Sequence, residues 1–152
     1  MNVKIDFEFS TTDAAQIAEH LNACDSSFVQ GLSRRVNIME YSHKIAKNAL
    51  RFEAWLEDRL VGLVAVYCNT PDKKVAFVTN VSVLSDLQGK GIGFQLMKNC
   101  ITHVKLLDFF CLELEVEGSN VGARMLYEKL GFRTCSTASN TLIMTYNMGR
   151  EI

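Results

Sequence analysis

The sequence is poor in the features that would divide it into domains or direct it to a membrane. Pro71 is its one proline, and no internal repeat, low-complexity tract or linker interrupts the 152 residues. We therefore expect a single domain over 1–152, a size at which about 70% of the surface is buried on folding. No apolar run approaches the roughly 18 residues of a membrane span, and the start MNVKIDFEFS lacks an apolar signal core. These absences predict a cytoplasmic protein that does not contact a membrane.

Neither sign of charge dominates, and the residues that bind metals are scattered. Sixteen Lys and Arg oppose seventeen Asp and Glu, so no field attracts nucleic acid, and any phosphate on a ligand must be held locally. The five cysteines include no C-x-x-C pair, which excludes a disulfide framework and predicts mostly small core residues. His20, His43 and His103 lack metal-ligand spacing and are assigned to surface or helix-packing positions. We expect no metal and no nucleic-acid partner.

Apolar periodicity predicts a mixed α/β sheet with the order β-α-α-β-β-β-α-β-α-β-β. Apolar residues recur every three to four positions in the helices and every second position in the strands. Ser10–Asp13 resembles a capping box at the start of the first helix, and Gly131 a left-handed cap. Strand, helix and strand across 75–116 indicate a right-handed crossover between parallel strands. The predicted helices cover about 12–21, 37–50, 92–104 and 119–130, and the strands about 3–9, a hairpin at 52–68 that turns at 57–59, 75–84, 109–117, 132–136 and 141–147.

Three glycines lie within 89–93, in the stretch LQGKGIG between a predicted strand and a predicted helix. Glycines let an anion approach the backbone, and a helix N-terminus offers unpaired N–H groups, so the turn is suited to phosphate. A Walker loop does not fit, because Leu84 stands at its first glycine. The dinucleotide fingerprint does not fit either, because Phe94 or Leu96 takes the place of its third small residue. The pattern that fits is Gln-x-x-Gly-x-Gly, formed by Gln88, Gly91 and Gly93.

In the order strand, turn, helix, this spacing resembles the pyrophosphate signature of the GNAT superfamily of N-acetyltransferases. The stretch LEVEGSNVGARMLYEKLGF at 114–132 is similar to the family's second signature, through Asn120, Ala123 and 126–132. The predicted element order also resembles the family, so the likeness spans nearly the whole chain. It implies a GNAT-like acyl-CoA N-acyltransferase fold, acetyl-CoA as the donor and an amine as the usual acceptor.

The resemblance implies which residues hold the donor. Its pyrophosphate is expected on the amides of the turn, where Lys90 adds charge. Its pantetheine arm is expected to pair with the strand edge of Val81, Ser82 and Val83, much as a peptide adds to a sheet, and an N–H there, expected from Val81, polarises the thioester carbonyl. Asn120 either caps the next helix or also hydrogen-bonds the donor. The residues of the turn implied in binding are Gln88, Gly89, Lys90, Gly91, Ile92 and Gly93.

Transfer to an amine requires a base and an acid. Glu115 is the first candidate base and Glu113 the second, because "LEVE" matches a glutamate that serves some family members; a solvated strand face explains them equally well. Thr79 and Asn80 stand where other members keep an acidic residue, so the proton is otherwise relayed by water. Tyr127 is the candidate acid for the leaving thiolate, seven residues after Asn120 on one helix face, and a core role is its alternative.

The acceptor site is predicted less closely. Arg34 and Arg35, in the loop between the first helices, either bind an acidic group of the acceptor or are solvated, and Asn80 is a further candidate. The sequence predicts an acetyl-CoA-dependent N-acetyltransferase that works through a ternary complex, as a monomer or homodimer. Its acceptor is a small amine or a protein N-terminus or lysine. The alternatives are a non-catalytic acyl-CoA-binding or sensing module and an enzyme of another phosphate cofactor such as a nucleotide.

Overall fold

The structure, a computed structural model, describes residues 4–25, 32–34 and 36–149. Within them, seven strands form one sheet in the order β1-β2-β3-β4-β5-β7-β6. Short 3-10 turns at Leu32–Arg34 and Ser85–Leu87 precede α2 and α3. The other elements are β1 (Asp6–Phe9), α1 (Ala14–Cys24), α2 (Ile38–Asn48), β2 (Leu50–Leu56), β3 (Arg59–Tyr67), β4 (Val75–Val83), α3 (Ile92–Leu106), β5 (Cys111–Glu117), α4 (Val121–Leu130), β6 (Arg133–Ala138) and β7 (Thr141–Asn147).

The predicted fold class and element order are confirmed. β4 and β5 are parallel neighbours joined through α3, and Gly131 ends α4 in the left-handed region at φ 111°. Differences are confined to element ends: α1 runs three residues past the predicted Leu21 to Cys24. The expected strand at 3–9 is seen from Asp6, and its first residue lies outside the described range.

The start of α1 corrects the predicted capping box. Asp13, not Ser10, caps the helix, since its carboxylate accepts from the Gln16 N–H and the Gln16 side chain accepts from the Asp13 N–H. Thr11 and Thr12 are occupied elsewhere, because their N–H and hydroxyl groups all donate to the buried carboxylate of Glu53. A contact distant in sequence therefore moves the helix start.

Two helical layers cover the sheet. Helices α1 and α2 pack on one face, against Leu63 and Ala65 of β3, and α3 packs on the other, against Val64 and Val66. The cysteines, predicted to be mostly small core residues, are only partly in this core. Cys24 and Cys100 are buried as expected, Cys68 and Cys111 are half-buried, and Cys135 is exposed. In the part of the chain that the structure describes, no helix combines the length and apolar character needed to cross a bilayer.

The sheet opens in its middle. β4 and β5 pair only from Val75↔Cys111 to Val78↔Leu114, although β4 continues to Val83 and β5 to Glu117. On its other side β4 stays paired with β3, except for a bulge at Thr79. Bulges bend a strand and break its ladder, and they recur beside active sites. The bulge thus lies at the point where the two central strands separate.

Candidate active site

A cavity of about 820 Å³ occupies the gap between β4 and β5. It reaches from the glycine turn and the start of α3, across the open edge of β4, to the first turns of α4. Leu32, Val36 and Tyr41 close it on the side of α1 and α2. The predicted site residues that line it are Asn80, Val81, Ser82, Val83, Gln88, Gly89, Gly91, Ile92, Gly93, Glu115, Asn120 and Tyr127.

The glycine turn presents free backbone donors to this cavity. Gly91 is the N-cap of α3 at φ 81°, and Gly89 also has a positive φ of 80°. No side chain of a described residue caps the helix, and its first hydrogen bond runs from the Gln95 N–H to the Gly91 carbonyl (3.0 Å). The N–H groups of 92–94 therefore have no partner within α3. Lys90 is exposed and does not line the cavity.

The open edge of β4 also offers backbone groups. Leu84 N–H donates to the Val61 carbonyl across the β3 pair (2.9 Å). Along an antiparallel pair the direction of these groups alternates, so the N–H and C=O of Val81 point toward the gap. Val83 points there too, and its carbonyl accepts from the Gln88 side chain (3.1 Å). Gln88 thereby ties the glycine turn to the strand edge.

Helix α4 supplies a tyrosine and an asparagine. Tyr127 is 7% exposed, its ring lies 5.9 Å from that of Phe132, and burial raises the pKa of its phenol above the usual range. Its hydroxyl makes no hydrogen bond to another described residue. Asn120 Oδ1 accepts from the Ala123 N–H (3.2 Å), so Asn120 caps α4. Burial thus favours the neutral phenol, and Tyr127 lines the cavity together with other residues of α4.

The two candidate glutamates occupy different environments. Glu115 lies beyond the last β4–β5 pair, is exposed and lines the cavity together with Glu117. Glu113 lies where the strands are still paired, between Phe77 and Thr145, and does not line it. The structure therefore brings Glu115 to the site with Tyr127 and leaves Glu113 outside.

The predicted arginine pair is only partly within the described structure. Arg34 ends the short turn at Leu32–Arg34, and its side chain is not described; Arg35 lies outside the described residues. Trp55 does not reach the main cavity and instead lines a separate one of about 330 Å³ near β1. Tyr67 packs with the α1–α2 layer.

Several residues of the site were not predicted from the sequence. The Tyr41 hydroxyl, on α2, donates to the carbonyl of Thr79 (2.6 Å) and lies 2.8 Å from its hydroxyl, which fixes the bulge. His20, on α1, lies 2.9 Å from the Ser82 hydroxyl and has a pKa lowered to about 4, chiefly by burial. His20 therefore packs between α1 and the sheet, which is the helix-packing position and not the surface position of the two that were expected. The partners are 38 and 62 residues apart, so no local pattern identifies them.

Family comparison agrees with this architecture. A model described as "Acetyltransferase (GNAT) family" matches residues 15–132, and the chain belongs to that family. The match includes both signature stretches, at 88–93 and 120–132. The resemblance inferred from the sequence is thereby confirmed at the level of the family.

Individual relatives are more distant. An uncharacterized N-acetyltransferase of Bacillus subtilis is 32% identical over 82 residues, 54% of this chain and 52% of its own, so the match spans about half its length. The ribosomal protein bS18 alanine N-acetyltransferase of Haemophilus influenzae is 28% identical over 129 residues, 82% of this chain and 86% of its own.

A solved structure shares the fold. An acetyltransferase of Salmonella typhimurium, determined with acetyl-CoA, aligns over 98% of this chain and 96% of its own with a TM-score of 0.76. Its sequence is 14% identical, so the likeness concerns the fold.

Proposed function

We propose that this chain is an acetyl-CoA-dependent N-acetyltransferase that moves an acetyl group directly to a primary amine within a ternary complex. The observation that carries the proposal is the cavity between β4 and β5. It joins a glycine turn with free N–H groups to a free strand edge, a carboxylate and a neutral phenol. Family membership supports the class of reaction.

The residues present fit acetyl-CoA. A Cβ added at Gly89 or Gly91 would meet no atom within 4 Å, so the space above both glycines is open for a phosphate. The N–H groups of 92–94 lie at the positive end of the α3 dipole. Along the open edge, Val81 is expected to pair with the amides of the pantetheine arm. Bound there, acetyl-CoA supplies an activated acetyl group as a thioester.

The chain's own residues then have distinct tasks. The Val81 N–H donates to the carbonyl oxygen of the acetyl group and stabilises the negative charge that develops during attack. Glu115 accepts the proton that the amine loses, directly or through water. Tyr127 donates its proton to the sulfur as the thiolate leaves, and burial keeps that proton on the phenol until then. No acylated side chain is required, because both substrates share one cavity.

The acceptor reaches the site from the side of α1 and α2. There the cavity is lined by Leu32, Val36, Tyr41 and Phe77, with Glu115 and Glu117 as its carboxylates among the described residues. Such a lining suits an amine on an apolar or uncharged body. We therefore propose primary amines, either small molecules or protein N-termini, as the class to test.

The decisive experiment measures release of free thiol from acetyl-CoA with a panel of primary amines. The panel contains alkylamines, diamines and short peptides with free N-termini. Saturable, amine-dependent thiol release by the purified chain is the expected result. Calorimetry with CoA and with ATP runs in parallel, and binding of CoA alone is expected.

Two results would contradict the proposal in different ways. Tight CoA binding without thiol release for any amine would make the chain an acyl-CoA-binding or sensing module. Binding of ATP but not of CoA would assign the glycine turn to a nucleotide.

A further inference from the structure

A hydrogen-bonded network of buried polar side chains lies on the acceptor side of the cavity. His20 Nδ1 lies 2.9 Å from the Leu60 carbonyl, and its Nε2 lies 2.9 Å from Ser82 Oγ. Ser82 Oγ in turn lies 2.9 Å from Asn80 Nδ2, which also donates to the Leu63 carbonyl (3.3 Å). His20, Ser82 and Asn80 are 3%, 6% and 6% exposed. This network thus links the middle of α1 to the wall of the cavity.

Two backbone carbonyls fix the protons of His20 Nδ1 and of the Asn80 amide in this network. A carbonyl oxygen can only accept, so His20 Nδ1 carries the proton and donates to Leu60. His20 Nε2 is then an acceptor that faces the Ser82 hydroxyl at 2.9 Å and Cys24 Sγ at 3.6 Å, and the shorter contact assigns the Ser82 hydroxyl as its donor. The Ser82 oxygen has a lone pair left for the amide of Asn80, whose nitrogen must also face Leu63. This arrangement of protons satisfies the His20 ring, the Ser82 hydroxyl and the amide nitrogen of Asn80.

This arrangement leaves one polar atom unused. Both N–H groups of Asn80 are taken, by Leu63 and Ser82, whereas its Oδ1 has no partner among the described residues. Asn80 lines the cavity, and its side chain lies on the strand face that carries Ser82 and meets α1. Val83 lies on the opposite face, 3.7 Å from a Cβ placed on Gly93 of α3. The free oxygen therefore belongs to the acceptor side and not to the donor side.

We propose that Asn80 Oδ1 accepts a hydrogen bond from the acceptor amine, and that Ser82 and His20 are positioning residues that hold the amide in this orientation. The inference rests on the proposed function, and it names the atom that recognises the acceptor. An amide oxygen accepts an N–H without taking its proton. It therefore orients the nitrogen and leaves proton removal to another group such as Glu115. A carboxylate or carbonyl of a ligand finds no donor at this atom.

Burial makes the arrangement persistent. Because burial lowers the pKa of His20 to about 4, its ring stays neutral near pH 7 and its Nε2 remains an acceptor for Ser82. Protonating Nε2 would turn it into a second donor and reverse the Ser82 hydroxyl. The Ser82 hydroxyl would then need another acceptor, and donation to Asn80 Oδ1 would turn the amide away from its present orientation.

Nitrogen NMR of the His20 ring and the Asn80 side-chain amide tests this network without an activity assay. In the wild-type protein we expect His20 as the neutral Nδ1–H tautomer, and the Asn80 side-chain amide protons slow to exchange with water. The Asn80→Asp variant identifies the amide signal by its loss. Titration with butylamine is expected to shift this signal. A His20 ring protonated at Nε2, or an Asn80 signal that butylamine leaves unchanged, would overturn the proposal.

Kinetics separate positioning from simple loss of structure. Ser82→Ala removes the hydroxyl that orients Asn80, whereas Ser82→Thr keeps it. With the best amine of the panel, Ser82→Ala is expected to raise the amine KM by up to about tenfold, the size of one neutral hydrogen bond. The amine KM should rise more than the KM for acetyl-CoA, because the substitution removes a side-chain hydroxyl that contacts His20 and Asn80 and keeps the backbone of β4. Ser82→Thr should restore the amine KM.

The outcomes distinguish this inference from the function on which it rests. An equal amine KM in Ser82→Ala and wild type, or a fall in kcat alone, contradicts the positioning role while N-acetyl transfer stands. If no amine is acetylated but butylamine shifts the Asn80 signal, the amine site stands and the transfer reaction does not. If Ser82→Thr fails to fold, the same titration on Ser82→Ala replaces it, and an undiminished shift contradicts the proposal.

Discussion

Tyr127 is the residue whose proposed role depends most on its surroundings. An exposed phenol has a pKa near 10, and burial raises the pKa of Tyr127 further. The proton is therefore held across the range in which an acetyltransferase assay is run. Burial disfavours a thiolate formed beside this hydroxyl in the same way as it disfavours the phenolate, so the sulfur becomes a better acceptor for that proton as well.

Replacing Tyr127 with Phe removes the proton donor and keeps the ring that packs on Phe132. We expect kcat to fall by at least about tenfold, since general acid catalysis contributes about 10²–10⁴-fold. The affinity for acetyl-CoA, measured by calorimetry, should stay within about twofold, because the lost hydroxyl is one contact of many. Tyr146→Phe is the matched control, because Tyr146 also packs on Phe132 but does not line the cavity. An unchanged kcat in Tyr127→Phe would exclude the acid role.

The two glutamates on β5 allow a paired test of the base. Glu115 lines the cavity and Glu113 does not, although both lie on one strand two residues apart. Glu115→Gln is expected to lower kcat/KM for the amine at least about tenfold, and Glu113→Gln to change it by less than about twofold. Equal activity in both variants would indicate proton transfer through water alone, and a larger loss in Glu113→Gln would reverse the assignment.

At the scale of elements, the turn before α3 is a backbone site. Gly91 has a φ of 81° and lines the cavity, and Gly149 has a φ of 77° but lies outside it. A side chain is strained equally in both conformations, by about 1–2 kcal/mol. Gly91→Leu should therefore lower stability about as much as Gly149→Leu.

The two variants should differ in donor binding. Leucine at Gly91 fills the open space above the turn, so we expect the Kd for CoA to rise at least about tenfold. Gly149→Leu should leave this Kd unchanged. Calorimetry at a temperature where both variants are folded makes the comparison. Equal Kd values in the two variants would mean that the pyrophosphate binds elsewhere.

Elements were predictable from sequence where their signal is local. The glycines before α3 and the two-residue period of β5 identify both elements by nearest-neighbour patterns alone. The start of α1 was not predictable in this way, because Thr11 and Thr12 are held by Glu53, 41 residues or more away. The sequence suggested Asn120 as a cap because its partner Ala123 is three residues away. It gave no indication that His20 contacts Ser82, because 62 residues separate them.

At the scale of the whole molecule, the cavity exists because strands distant in sequence diverge. Pairing of β4 with β5 stops at Val78 and Leu114, and the bulge at Thr79 is held by Tyr41 of α2. A sequence pattern predicts which residues share a face of one strand, but not where two strands part. Placing Glu115 inside the site and Glu113 outside it therefore required the structure.

The free energy of unfolding should depend on pH because His20 is buried. His20 has a pKa of about 4 in the fold and about 6.5 when unfolded, so between these values the unfolded chain binds the extra proton. Stability then falls as the pH decreases, by about 2 kcal/mol from about pH 7.5 to 5.0 at 1.36 kcal/mol per pKa unit. Glu53 acts in the same direction at lower pH. Burial alone would raise its pKa, but the hydrogen bonds from Thr11 and Thr12 lower it, and its stabilisation is lost as the pH falls through that lowered value.

Urea unfolding at about pH 7.5 and 5.0 measures this loss. The pH dependence attributed to His20 should be absent in His20→Gln, which has no ionisable ring, and should persist in His43→Gln, which removes an exposed histidine on α2. Comparing the difference between the two pH values within each variant cancels the packing cost of the substitution itself. If His20→Gln loses as much stability on acidification as wild type, His20 is not the group that titrates. The neutral ring that the Asn80 arrangement requires would then have to be demonstrated by nitrogen NMR alone.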